Sequence, residues 1–217
     1  MTKSVVHLLR HGQVHNPEGV LYGRLPDFHL SEIGQEMARR MATYTAEFDL
    51  VHLRCSPLER AQETMAPIQH NHPDLDVVHD DRVIEAANKL QGRVFSGSFR
   101  NFLDINVLRR LYNPLQPSWG EPYKQIVERM HAAIRDAAAA AQGHEALIVS
   151  HQLPIWMARL AAEGRSLVHD PRKRECALAS LTSFTVDDGH ITQVDYADPC
   201  ADLVPVKKKS KKFVAGA

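Results

Sequence analysis

The chain reads as an α/β protein, a three-layer α/β/α sandwich around a mainly parallel central sheet. Two observations predict this class. Short apolar runs with strand character, at 4–10, 50–55 and 145–150, alternate with longer segments of helical periodicity. That βαβα order implies parallel strands with helices on both faces. Near the end, two strand-like runs flank Asp188-Gly189, a hairpin signal that puts antiparallel strands at one edge.

The elements follow in order. The first strand covers 4–10, where Val5, Val6, Leu8 and Leu9 lead into Arg10-His11-Gly12. A loop rich in Gly, Asn and Pro occupies 12–30. Ser31 caps a helix on which Ile33, Met37, Met41, Tyr44 and Phe48 recur at helical spacing. A second strand covers 50–55. Ser56-Pro57-Leu58-Glu59 then has the form of a capping box with proline at the first helical position, and this helix runs to about Gln69. A third short strand covers 76–79, with Val83-Ile84 as its candidate extension. Residues 87–118 are the least regular stretch, with Phe95, Phe99, Phe102 and Tyr112 set among arginines. A short helix over 99–111 fits them, within a lid-like excursion. A long helix follows from about Pro122 to Ala141, then a buried strand over 145–150. The next helix spans 152–163 and has Pro154 in its first turn. The hairpin strands are 180–186 and 190–196. No repeat or linker divides the body. One domain is expected over 1–199, followed by an irregular basic tail at 200–217.

Composition bounds the function. With 44% hydrophobic and 24% charged residues in a chain of 217, there is apolar mass for one sizeable core. No apolar run approaches the roughly 18 residues of a membrane span. Met1-Thr2-Lys3-Ser4 enters a strand directly, without the pattern of a secretory signal, so a cytoplasmic protein is expected. Cys55, Cys176 and Cys200 have neither metal-knuckle nor redox spacing and read as reduced thiols. Five lysines fall at 207, 208, 209, 211 and 212. Because the formal charge is zero, the body before them carries −5. A mildly acidic body argues against nucleic acid as a partner.

The chemistry concentrates where strands end. Arg10 and His11 close the first strand, and Arg60 lies one turn into the helix after the second. Glu85 follows the third, and His151 follows 145–150 at a helix start. Parallel strands would bring these residues to one rim of the sheet, where open α/β sheets bind ligands. Guanidinium forks and helix N-termini suit a phosphate dianion. An imidazole can attack phosphorus, and a carboxyl can protonate a departing alcohol oxygen. His7, His11 and His15 recur every four residues, but His7 and His11 flank a strand-like run and lack an acidic partner nearby. No metal site is expected there.

Leu9-Arg10-His11-Gly12, the run Cys55-Ser56-Pro57-Leu58-Glu59-Arg60-Ala61-Gln62-Glu63-Thr64, Ile84-Glu85 and Val149-Ser150-His151 resemble the histidine phosphatase superfamily, also called phosphoglycerate mutase-like. Pro26-Asp27-Phe28-His29-Leu30-Ser31-Glu32-Ile33-Gly34 and Trp119-Gly120-Glu121-Pro122 resemble its other recurring segments, in order along residues 5–185. The resemblance implies a phosphoglycerate mutase-like fold and phosphoryl transfer without metal or cofactor. It implies His11 as nucleophile, with Arg10, Arg60 and His151 on the phosphoryl oxygens. Glu85 would be general acid and then general base. Asn16, Gly23 and Gln152 would complete the substrate-binding set. Gln13 and Pro122 depart from the common pattern, where an acidic residue and a serine are usual. The expected activity is hydrolysis of a small phosphate monoester. The alternatives are a mutase and, in a different class, a non-catalytic module that binds phosphorylated ligands. Neither the substrate nor the oligomeric state is legible.

Overall fold

The structure, a computed structural model, describes residues 3–94 and 120–204. Six strands form one sheet: β1 (Lys3–Arg10), β2 (Leu50–Cys55), β3 (Val77–His79), β4 (Glu145–Ser150), β5 (Leu181–Asp187) and β6 (His190–Ala197). Their spatial order is β3-β2-β4-β1-β5-β6. The first four are mutually parallel, while β5 and β6 run antiparallel and close one edge. The hairpin between the last two turns on Asp188 (φ 49°) and Gly189 (φ 77°). Two successive positive φ angles suit the right-handed twist of the flanking strands.

Among the described residues, four helices cover the sheet: α1 (Glu32–Tyr44), α2 (Glu59–Asn71), α3 (Tyr123–Ala141) and α4 (Gln152–Ala162). Strand alternation decides which helix meets which face. Val6 and Leu8 of β1, with Ala146 and Ile148 of β4, pack against Ile126, Met130 and Ile134 of α3 and Ile155 and Met157 of α4. Their strand neighbours Leu9, Leu147 and Val149 face the other way, onto Met37 and Met41 of α1 and Met65 and Ile68 of α2. The result is the expected three-layer sandwich.

Some local readings are corrected. Helix α1 buries Gly34, Met37, Ala38, Met41 and Ala42, whereas Ile33 and Tyr44 are exposed. The apolar set at 33, 37, 41, 44 and 48 therefore straddled two faces, and small residues complete the true one. Ser31 does cap this helix, accepting from the Gly34 amide. Ser56 does not cap α2. That helix starts at Glu59, behind Leu58, which makes no side-chain cap bond. Val83-Ile84 does not extend β3, because Asp81–Val83 is a 3₁₀ turn capped by Asp80. Past the expected boundary at 199, Cys200 is fully buried, and Leu203 and Val204 pack on the α1–α2 side of the core. The short helix over 99–111 and the lysine run lie outside the described residues.

Candidate functional site

Strands β2, β4 and β1 are neighbours, so the residues that follow them meet at one rim. The backbone splices them together. The His11 amide donates to the Ser150 carbonyl at 3.1 Å, and the Ser56 amide donates to the Val149 carbonyl at 3.0 Å. His11 and His151 are thereby buried side by side, their ring centroids 5.1 Å apart. The loop after His11 is seated by close backbone approach. A Cβ on Gly12 would sit 2.6 Å from the Gly34 carbonyl oxygen, so only glycine fits there. The Gly12 amide also donates to the Thr64 hydroxyl of α2 at 3.1 Å.

His11 has a defined tautomer. Its Nδ1 lies 2.8 Å from the Gly12 carbonyl oxygen. A carbonyl only accepts, so Nδ1 carries the proton and Nε2 keeps its lone pair. Burial first, then the charges of Arg60 and Arg10, hold its pKa well below the usual histidine value. The ring is neutral at pH 7, with a free nitrogen between two cations.

Both guanidinium groups are buried. Arg10 Nη1 donates to the Cys176 carbonyl at 2.7 Å. Arg60 Nη2 donates to the Gly23 carbonyl at 2.7 Å, and its guanidinium lies 4.7 Å from the centre of the Tyr22 ring. Arg10 Nε, Arg60 Nε and Nη1, and His151 Nδ1 are buried without a hydrogen-bond partner among the described residues. Orphaned buried donors are costly, and a cluster of them around one point needs an explanation. His151 Nε2 pairs with Ser56 Oγ at 2.8 Å. Burial, then Arg60, His11 and Arg10, pull its pKa well below the ordinary value. The Ser56 hydroxyl is thus engaged with the second histidine, and it also accepts a longer bond from the Leu58 amide at 3.4 Å.

Glu85 follows the 3₁₀ turn and is partly buried. Its Oε1 accepts from the Ala86 amide at 2.8 Å, and its own carbonyl accepts from Arg24 Nε at 2.6 Å. Its carboxylate lies within electrostatic range of Arg60, Tyr22 and Arg174. Five sequence-selected residues (Arg10, His11, Arg60, Glu85 and His151) therefore gather at one rim.

The remaining three are tied up locally. Asn16 spends both ends of its amide on Val20, donating to its carbonyl at 2.8 Å and accepting from its amide at 3.0 Å. Gly23, at φ 47°, contributes the carbonyl that holds Arg60. Gln152 sits in the first turn after His151 and donates to the Cys176 carbonyl at 3.4 Å. The histidine series at 7, 11 and 15 does not converge. His7 faces Ser183 and Glu145, near the other end of the sheet.

Sequence reasoning did not single out Thr64, Tyr22 or Arg174, and it assigned Ser56 to a cap. Ser56 was legible as part of Cys55-Ser56-Pro57 beside Arg60. Arg174 carried no local signal. Together the groups can hold a tetrahedral dianion against the free nitrogen of a neutral imidazole, with a carboxyl group in electrostatic range.

Comparison with known proteins identifies the family. A model of the histidine phosphatase superfamily (branch 1) matches residues 6–199. The protein Rv0525 of Mycobacterium tuberculosis is 49% identical over 196 residues, covering 90% of this chain and 96% of that relative. Among solved structures, YhfR of Bacillus stearothermophilus superposes with a TM-score of 0.75 at 22% identity, over 87% of this chain and 94% of its own. The mycobacterial glucosyl-3-phosphoglycerate phosphatase Rv2419c does so with a TM-score of 0.71 at 20% identity, over 89% and 97%. The chain belongs to the histidine phosphatase superfamily, branch 1.

Proposed function

We propose that the protein is a phosphatase that hydrolyses a small phosphate monoester through a phosphohistidine on His11. In the first step the Nε2 lone pair forms a bond to phosphorus while the bond from phosphorus to the ester oxygen breaks. Glu85, protonated, gives its proton to the departing oxygen. In the second step Glu85 takes a proton from water, the water oxygen attacks phosphorus, and the P–N bond breaks to restore neutral His11 and release phosphate. Arg10, Arg60 and His151 bind the three non-reacting oxygens throughout, and the two guanidinium groups neutralise the charge that builds on them.

The observation that carries this reading is the set of unpartnered buried donors around a neutral imidazole. A phosphoryl group supplies acceptors for the arginine donors, and for His151 Nδ1 in the tautomer where Ser56 donates to Nε2. The pocket was assembled with its desolvation cost already met, so little reorganisation is needed when charge develops. A module that only bound phosphate would need neither a histidine of fixed tautomer nor a carboxyl group beside it. A reducing, cytoplasmic setting is part of the proposal, and it is supported by Cys55, Cys176 and Cys200 all standing as buried free thiols.

Turnover of p-nitrophenyl phosphate in the presence of EDTA tests the reading. The wild type should keep its activity, because Arg10 and Arg60 supply the positive charge. His11→Ala should lose essentially all of it. Loss of wild-type activity on chelation, restored by Mg²⁺ or Zn²⁺, would replace this mechanism with a metal-assisted one.

A further inference from the structure

Arg174 stands on the approach to β5, far in sequence from the other site residues, yet it is wired to them. His169 Nδ1 lies 2.8 Å from the Leu167 carbonyl oxygen, so it carries the ring proton and leaves Nε2 as an acceptor. Arg174 Nε donates to that Nε2 at 2.9 Å. Arg174 Nη1 donates to Gln152 Oε1 at 3.3 Å. The Gln152 amide nitrogen reaches the Cys176 carbonyl, and the same carbonyl holds Arg10 Nη1. A continuous chain of hydrogen bonds therefore runs from His169 through Arg174 to a guanidinium of the phosphate pocket. Arg174 Nη2 makes no hydrogen bond among the described residues. The side chain is partly buried, with Glu85, Tyr123 and Arg10 in electrostatic range.

Position decides what this cation can do. In the proposed reaction Glu85 protonates the ester oxygen, so Glu85 marks the side where the alcohol portion lies. Arg174 lies within electrostatic range of Glu85, and its own hydrogen bonds, to His169 and Gln152, are distinct from those that hold Arg10, Arg60 and His151. A preset guanidinium is a strong and geometrically selective partner for an oxyanion. We propose that Arg174 binds a second anionic group on the alcohol portion, so that the preferred substrates are phosphate esters of acidic alcohols. This inference rests on the phosphatase reading above for its orientation.

Matched esters test it. The pairs are 3-phosphoglycerate with glycerol 3-phosphate, and 2-phosphoglycerate with glycerol 2-phosphate. Each pair differs in a carboxylate against a hydroxymethyl group. In the wild type, kcat/KM for at least one acidic ester should exceed that for its neutral match by at least about tenfold, as one charge-assisted contact warrants. In Arg174→Gln that ratio should collapse toward one, mainly through KM. Arg174→Lys should keep part of it. No preference in the wild type, or equal losses for both members of each pair in Arg174→Gln, would overturn the proposal. If no ester turns over, the phosphatase reading fails, and calorimetric affinities for the same four esters still decide the role of Arg174. A preference for acidic esters that Arg174→Gln abolishes would support it, and absent or indifferent binding would overturn it.

Discussion

At the scale of single residues, two opposite electrostatic demands meet at the rim. In the proposed reaction the arginines must stay charged to hold an anion, and His11 must stay neutral to attack. Burial and the fields of Arg60 and Arg10 satisfy the second demand by pushing His11 down. The Gly12 carbonyl then decides which nitrogen is free. Glu85 is the residue whose role depends most on the leaving group. An alkyl alcohol departs poorly without a proton, whereas nitrophenolate departs readily. Glu85→Gln should therefore cut turnover of alkyl phosphates by about 10²–10⁴, the usual range for general acid–base catalysis. Single-turnover release of nitrophenolate should fall clearly less. Equal losses for both ester types would make Glu85 a positioning residue. Residues at strand ends were legible because the chain names them in place: Arg10-His11 closes β1 and His151 follows β4. Asn16, expected among the substrate-binding residues, ties its own loop to Val20. Arg174 was invisible because its partner Gln152 and the charge of Glu85 come from other segments, and only tertiary folding brings them to it.

At the scale of elements, the position of the catalytic loop depends on the start of α1. Gly12 and Gly34 allow the loop backbone to lie directly against the first turn of that helix. A Cβ at Gly34 would fall 2.0 Å from the Gln13 carbonyl oxygen. Helix propensity alone favours Gly34→Ala by about 1 kcal/mol. The clash is with backbone and cannot rotate away, so overpacking should win. The expected outcome is a net loss of about 1–3 kcal/mol in urea denaturation, with reduced turnover because Gln13 is two residues from His11. A neutral or stabilised variant would show that the loop yields. Most strands were readable because buried parallel strands are short apolar runs with sharp ends: β2 and β4 occur where the pattern predicts. Helix starts were less readable. Ser56-Pro57-Leu58-Glu59 satisfies a capping pattern, yet the Ser56 hydroxyl has a stronger claim on it in buried His151. A sequence window cannot weigh a local cap against a partner 95 residues away.

At the scale of the whole molecule, the buried histidines link stability to pH. His11 and His151 have folded pKa values far below 6.5, and burial also lowers His7 and, less deeply buried, His169. In the unfolded chain each takes up a proton near pH 6.5. The stability they contribute is fully present above that pH and drains away as pH falls toward the folded values. Each proton taken up only on unfolding gives a slope of about 1.4 kcal/mol per pH unit. Exposed His29, raised by its hydrogen bond with Glu63, acts in the opposite sense but is screened by solvent. Urea denaturation should show lower stability at pH 5.5 than at pH 7.5, and a flat profile would mean that the histidines are charged in the fold. The same neutral His11 underlies the proposed activity, so the decisive measurement is of covalent phosphate. Wild-type protein quenched within milliseconds of mixing with a ³²P-labelled monoester should carry acid-labile, base-stable label, mapped by peptide analysis to His11. Turnover with no label on His11 in the wild type, or undiminished turnover in His11→Ala, would contradict the account.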